Sequence, residues 1–382
     1  MVDKPILKFA VIGDVGTENV PCMAGVSKIT PMVKKFGADA VLVGESEKWR
    51  LIKVDSDPSF DLSRAVKDAF SQDRGNLDLI EEKGVPFLLC NTKEMFEEDW
   101  AKFAKNKDDI LKKSAVYFYA QSYTPAETGI GYFLPRQDRG CVSNVFKGRA
   151  NCIALSSGAL GPLADERAIR QGDFGFTSVG TSSFRYVSLL SGRENSRMKA
   201  PLNRPGLLVS VFHDRVVIKR VLFTTGAVLG DDWIVPLADY GALSCEKRAA
   251  ESAAPAFAAN AKLKIKFEKQ KLQGKKDKDC VCLEFPRAIG PVRAFDYEVT
   301  VHSHEGDIDA IVTQRRFYSP GIFEPMKKEP KTLTCFIPKE ELFHEVPLRY
   351  EVRPVNSFGI KGEAISASRT IKKDSIFKGA NS

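Results

Sequence analysis

Three polar residues that could bind a cation follow apolar segments of the sequence. Asp14 ends the run that begins at Lys8, Glu45 ends a second run, and Asn91 ends a third. A buried strand that stops at a polar residue is typical of a sheet that leads into a functional loop. Carboxylate and amide oxygens are ligands for hard cations, so these three residues could together hold one Mg²⁺ or Ca²⁺.

Other kinds of site have weaker support. The loop after Asp14 lacks the lysine of a P-loop and the glycine spacing of a dinucleotide-binding motif. Cys90 has no histidine near it in sequence to activate its thiol, so we interpret it as a buried structural residue. His302 and His304 alternate on one strand, and two imidazoles without a third ligand are weak evidence for a metal site.

The first part of the chain alternates predicted strands with predicted helices. Amphipathic segments at helical spacing separate five apolar runs, which lie at 8–12, 38–44, 85–91, 114–121 and 150–158. This alternation predicts an α/β layer architecture. We interpret Thr30 as a helix N-cap, with Pro31 in the first turn and Gly37 at the end. After about residue 176 the pattern changes to strands joined by short turns, one of them at residues 213–214.

The last part of the chain has only strand patterns. Leu263, Ile265 and Phe267 are predicted to pair with apolar residues at 281, 283 and 285 across a turn at Gly274. This pairing places Cys280 and Cys282 on the opposite face of their strand. Residues 350–359 resemble the late strand of a fibronectin type III domain, which implies a small all-β immunoglobulin-like sandwich.

The strand ends in the first part resemble the motifs of a known family. Gly13-Asp14, Gly44-Glu45 and Asn91-Thr92 occur in the order and rough spacing of the calcineurin-like metallophosphoesterases. Residues 156–187 resemble the segment around the family's Gly-His-x-His motif, and shorter stretches at 231–237 and 254–263 resemble the same subgroup. The resemblance implies a two-layered β-sandwich flanked by helices, in which two metal ions hydrolyse a phosphoester.

Most residues that this chemistry requires are replaced. The family's pattern survives at Asp14 and Asn91, and the other positions have changed. The six altered positions are Gly16, Thr92, Ala159 and Gly161 in place of histidines, Glu45 in place of the bridging aspartate, and Gln121 or Ser122 in place of another histidine. Independently of alignment, no histidine precedes His213 among the four in the chain. The region that resembles the metal centre therefore has no imidazole, and we expect no cofactor beyond the single oxygen-bound cation considered above.

Composition limits the remaining classes of function. The 382 residues suggest two domains, and a net charge of +8 raises the question of an acidic partner. Lys262, Lys264 and Lys266 alternate with apolar residues, which is typical of a solvated strand face, so nucleic-acid binding is not favoured. We expect an intracellular protein with free thiols, no signal peptide and no membrane span.

These observations lead to one organisation and three functional hypotheses. We predict a metallophosphoesterase-like domain at 1–245, a linker or short helix at 246–260, a fibronectin-III-like sandwich at 261–373 and a tail at 374–382. The leading hypothesis is a degenerate, catalytically inactive family member that binds protein partners as an interaction or assembly subunit. The alternatives are a residual hydrolase with an oxygen-bound cation at Asp14, Glu45 and Asn91, and a module that binds an anionic ligand without cleaving it.

Overall fold

The structure, a computed structural model, describes most of the chain in two compact units. The described residues are 3–16, 20–128, 137–157, 161–185, 187, 204–271, 277–290, 292–305, 308–322 and 329–372. The first unit ends at Ala250 and the second begins at Glu251. Each unit encloses its own cluster of buried apolar side chains.

The first unit mixes strands with helices. Its described strands are β1 (Leu7–Ile12), β2 (Ala40–Glu45), β3 (Lys48–Lys53), β4 (Leu77–Glu82), β5 (Val85–Cys90), β6 (Tyr117–Gln121), β7 (Cys152–Ser156), β8 (Ile169–Gln171), β9 (Thr177–Gly180), β10 (Pro205–Val211), β11 (Arg215–Leu222), β12 (Ala227–Val228) and β13 (Trp233–Pro236). Its described helices are α1 (Val20–Phe36), α2 (Leu62–Phe70), α3 (Glu97–Lys113) and α4 (Cys141–Val145), and α5 (Cys245–Glu251) lies at the boundary with the second unit.

These strands form two sheets. In the first sheet the order is β12-β11-β10-β1-β2-β3, with β13 also paired to β11, and β1 runs parallel to β2. In the second sheet the order is β4-β5-β6-β7-β9-β8, and its four central strands are parallel. Because parallel neighbours end at the same edge of a sheet, the polar residues after β5, β6, β7 and β9 lie along one edge.

The two sheets pack face to face. Phe9 of β1 contacts Phe87 of β5 and Phe118 of β6, with ring centroids 5.1 and 4.8 Å apart. One apolar cluster joins both inner faces, a second lies between the first sheet and α1 and α2, and a third lies between the second sheet and α3 and α4. The central strands are buried on both faces, which explains their continuous apolar sequences. The prediction of a mixed α/β fold is confirmed.

Helix α1 differs from the sequence interpretation. We expected a helix that begins at Thr30 with Pro31 in its first turn, but α1 begins at Val20 and Pro31 lies inside it. Proline has no N–H to donate within a helix, so this position loses one backbone hydrogen bond. Burial of Val26, Ile29 and Val33 against the first sheet outweighs that local preference. The turn predicted at residues 213–214 does join β10 to β11.

The second unit consists of strands in two sheets. Its described strands are β14 (Lys264–Lys271), β15 (Asp277–Pro286), β16 (Asp296–Glu305), β17 (Ile308–Tyr318), β18 (Thr332–Pro338), β19 (Pro347–Val355) and β20 (Ile365–Thr370). They form a sheet of order β14-β15-β18 and a sheet of order β17-β16-β19-β20, all antiparallel. Apolar side chains from both sheets form one core, as in a β-sandwich.

The predicted pairing of β14 with β15 is confirmed for two of its three pairs. Ile265 lies opposite Leu283, and Phe267 lies opposite Val281. The predicted turn at Gly274 lies outside the described residues. Cys282 is absent from the apolar cluster, as the alternation predicts, but its side chain is buried.

Within the described part of the chain, no helix has both the length and the apolar character needed to cross a membrane.

Candidate functional site

Asp14 follows β1 and lies in a polar neighbourhood where the two sheets meet. Its side chain is 6% exposed, and its backbone has a φ of 48°, in the left-handed region that aspartate tolerates better than most residues. The Ser183 hydroxyl donates to Asp14 Oδ2 over 3.0 Å. Arg185 Nη1 lies 3.4 Å from Asp14 Oδ1. The buried carboxylate therefore has both a neutral donor and a counter-charge from one short segment after β9.

The glycines beside Asp14 are required by close packing. A Cβ on Gly13 would lie 2.2 Å from the Ser182 carbonyl oxygen and 2.4 Å from Thr181 Oγ1. Gly16 has a φ of 64°, and a Cβ there would lie 3.0 Å from Arg185 Nε. Gly16 stands where the resembled family has a histidine, and in this chain the Arg185 side chain occupies that space.

Asn91 belongs to a different neighbourhood, in which it binds a buried arginine. Its Oδ1 accepts from Arg50 Nη1 over 2.6 Å and from the Trp49 backbone N–H over 3.2 Å, and its Nδ2 donates to the Gly75 carbonyl. Arg50 is 2% exposed. The Asn91 amide oxygen is therefore occupied by a guanidinium, which excludes a cation from the same oxygen.

Three further carbonyl oxygens complete a cage of acceptors around Arg50. The guanidinium donates to the carbonyls of Trp49, Ala69 and Gln72 over 2.8, 3.0 and 3.0 Å. Among the described residues, no carboxylate forms an ion pair with it, and burial lowers its pKa from the usual arginine value. Backbone and amide dipoles thus stabilise this charge. The hydrogen bonds of Arg50 also connect the ends of α2, β3 and β5.

The other predicted site residues have structural partners. The Thr92 hydroxyl donates to the Glu94 carbonyl. Gln121 is fully buried, accepts from the Tyr119 hydroxyl over 2.7 Å and donates to Asp138 Oδ2 over 3.0 Å. Both side chains hold their own loops in place.

Glu45 ends β2 close to Asp14 in the backbone, because Val15 N donates to the Gly44 carbonyl over 3.0 Å. Its half-buried carboxylate accepts from the Ser46 hydroxyl over 3.4 Å. Gly161 is buried, and Ala159 lies outside the described residues. The structure thus connects Asp14 with Glu45 through the backbone, and it assigns the side chains of Asp14, Asn91 and Gln121 to separate hydrogen-bond networks.

We expect Asn91→Ala to destabilise the first unit by about 2–3 kcal/mol, because it removes acceptors from a buried guanidinium and from a backbone N–H. Urea unfolding followed by circular dichroism would measure the change. Asn76→Ala is the matched control, since Asn76 is exposed and its side chain donates to Asp99 at the surface over 3.1 Å. Equal stability of the two variants would contradict a structural role for Asn91.

A second polar cluster of the first unit is centred on Glu166. Arg220 Nη1 lies 2.8 Å from Glu166 Oε1, and Arg248 Nη2 lies 2.7 Å from Oε2. The Trp233 indole N–H also donates to Oε2, over 3.0 Å, and the Arg220 guanidinium stacks on the Trp233 ring. The adjacent Asp165 caps its turn and binds Arg167. These contacts join distant parts of the first unit, so the segment around Glu166 has a structural role.

Among its described residues, the second unit has one cluster of acidic and thiol groups. Single ligand atoms of Glu268, Cys282 and Glu284 lie within 4.8 Å of one another. Burial raises the pKa of the Cys282 thiol to about 12, and Lys266 already forms an ion pair with Glu284. A metal would have to displace both the proton and the ammonium group, so this cluster does not fit a preformed metal site.

The predicted histidine pair lies in β16, and only His302 has a described side chain. Its Nδ1 lies 3.6 Å from Asp309 Oδ2, and its Nε2 lies 3.7 Å from Glu351 Oε2. The two carboxylates face opposite ring nitrogens and therefore do not converge on one metal position.

Sequence reasoning missed the arginines of the site. Ser183 and Arg185 were not selected, because they lie in the stretch after residue 176 whose pattern predicts only strands and short turns. Arg50 was not predicted as a partner of Asn91 either. No known family model matches the chain, and no curated protein matches it.

Proposed function

We propose that the chain is a non-catalytic protein with a metallophosphoesterase-like first unit and a fibronectin-III-like second unit, which acts as an interaction or assembly subunit. The first unit supports this through two helix-flanked sheets packed face to face, with Asp14, Glu45 and Asn91 at the ends of parallel strands. The second unit supports it through sheets of three and four antiparallel strands around one core, an architecture shared by fibronectin-type and related domains.

One observation carries the non-catalytic part of the proposal. The oxygens of Asp14 and Asn91, the two ligands retained from the resembled family, lie against the guanidinium groups of Arg185 and Arg50. Two-metal hydrolysis needs such oxygens on cations that also hold the phosphate and a hydroxide. A guanidinium offers no vacant coordination position and generates no hydroxide, so this donor set does not fit a two-metal centre.

The interaction part of the proposal is supported by the surface of the second unit. Ile289, Ile311 and Phe343 are each at least half exposed. Apolar and aromatic side chains such as these are buried in the cores of protein interfaces. A protein partner is therefore proposed in preference to a nucleic acid.

Metal analysis combined with an activity assay tests the proposal. We expect purified untagged protein to hold well under one equivalent of transition metal after incubation with Mn²⁺ and Zn²⁺. We also expect aryl phosphate turnover to equal that of Asp14→Asn, which keeps the shape and the left-handed backbone of the native residue. Two equivalents of metal, together with turnover lost in Asp14→Asn, would overturn the proposal in favour of a residual hydrolase.

A further inference from the structure

The Asp14 carboxylate is buried, with 6% of its side chain exposed. Burying a carboxylate is costly unless it is paired and hydrogen-bonded. A bound cation provides this compensation in proteins that use such a residue as a metal ligand. The compensating charge in this chain comes from Arg185, whose Nη1 lies 3.4 Å from Asp14 Oδ1.

Arg185 is held in this position by contacts besides the ion pair. The Ser183 hydroxyl oxygen accepts from the Arg185 backbone N–H over 2.9 Å and donates to Asp14 Oδ2 over 3.0 Å, so one hydroxyl joins both partners. The backbone N–H of Phe184, between them, donates to the Gly13 carbonyl over 3.0 Å. The missing side chain at Gly16 leaves room for the Arg185 stem.

We propose that Arg185 is a tethered cation that takes the place of a metal ion at Asp14. This inference rests on the proposed function, since it explains how a cleft with surviving oxygen ligands remains folded without metal chemistry. The guanidinium neutralises Asp14, repels a second cation from the same carboxylate and occupies the space above Gly16. The caged Arg50 at Asn91 follows the same pattern, in which a guanidinium binds a retained oxygen.

The proposal predicts that removing the guanidinium creates a cation site. We expect Arg185→Ala to bind Mn²⁺ saturably in calorimetry, at least about tenfold more tightly than the wild type and with a dissociation constant in the range of weak oxygen-ligated sites, about 0.1–1 mM. Added Mn²⁺ should also raise the melting temperature of this variant and leave that of the wild type unchanged.

Three further variants make the experiment specific. Arg185→Lys keeps a cation and should gain no Mn²⁺ binding. The double variant with Asp14→Asn and Arg185→Ala should lose the gain, because the metal's charged ligand is removed. Arg185→Gln removes the charge but keeps much of the side chain, and it replaces Arg185→Ala in the same titration if the alanine variant does not fold.

The outcomes separate this inference from the proposed function. A folded neutral variant that binds Mn²⁺ no better than the wild type would overturn the role of Arg185 and leave the non-catalytic function standing. Metal-dependent turnover by the wild type would overturn the proposed function, whatever the variants bind. A gain that survives in the double variant would place the new cation elsewhere and would also overturn the inference.

Discussion

Gly13→Ala is expected to destabilise the first unit by about 3 kcal/mol or more, and to leave much of the purified protein unfolded or aggregated. The added Cβ would lie 2.2 Å from the Ser182 carbonyl oxygen and 2.4 Å from Thr181 Oγ1. The first of these atoms belongs to the backbone and cannot rotate away. Relief would require the segment after β9 to separate from the end of β1, which would also strain the contacts of Asp14 with Ser183 and Arg185.

Gly75→Ala is the matched control for this substitution. The nearest atom to a Cβ on Gly75 is the Leu77 carbonyl oxygen, at 3.9 Å, so the change should alter stability by less than about 1 kcal/mol. Urea unfolding of both variants, followed by circular dichroism and tryptophan fluorescence, would measure the difference. If Gly13→Ala unfolds at the same urea concentration as Gly75→Ala, the result would contradict the close packing of Gly13 against the segment after β9.

Glu166→Gln is expected to destabilise the first unit by about 3 kcal/mol, because it leaves two buried guanidinium groups without their shared carboxylate. The expected loss is at the lower end for buried ion clusters, since the Glu166 side chain is itself 34% exposed. The Arg220 side chain is fully buried, and that of Arg248 is 14% exposed. Burial lowers the pKa of Arg248, Glu166 raises it, and the neighbouring Arg220 lowers it further. Removing the carboxylate therefore takes away the largest favourable influence on the Arg248 charge and an ion-pair partner of the buried Arg220.

Glu246→Gln tests the same chemical change at the surface. The Glu246 side chain is 75% exposed and lies 4.0 Å from Arg170, so its removal should change stability by less than about 1 kcal/mol. The midpoint of urea unfolding, read from tryptophan fluorescence, would compare the two variants. A Glu166→Gln protein as stable as Glu246→Gln would mean that water, and not Glu166, compensates Arg220 and Arg248.

The strands of the first unit could be predicted because a strand buried on both faces has a continuous run of apolar residues. The run predicted at 8–12 corresponds to β1, and the run at 85–91 corresponds to β5 with Asn91 directly after it. Helix α1 was predicted poorly, because Pro31 suggested a helix start and tertiary packing overrides that local preference. The mixed fold class could therefore be predicted from the sequence, and the bounds of this helix could not.

The partners of the site residues could not be predicted in the same way. Arg185 and Asp14 are 171 positions apart, and Arg50 and Asn91 are 41 apart. Neither pair belongs to one strand or helix, so no periodicity connects its members. Each pair forms only when separate strands and loops come together, which depends on the packing of two sheets. The sequence could thus indicate which oxygens survive, but not which donors hold them.

The oxygen cage around Arg50 has a consequence for how the first unit depends on its surroundings. A dissociable ligand stabilises a folded protein by mass action, so its contribution rises and falls with the free ligand concentration. Arg50 is part of the polypeptide, and its contribution is therefore the same at any metal concentration and in the presence of a chelator. The free energy needed to dehydrate the guanidinium must instead be supplied during folding. The guanidinium loses its hydration shell each time its acceptors close around it, and these belong to Trp49, Ala69, Gln72 and Asn91.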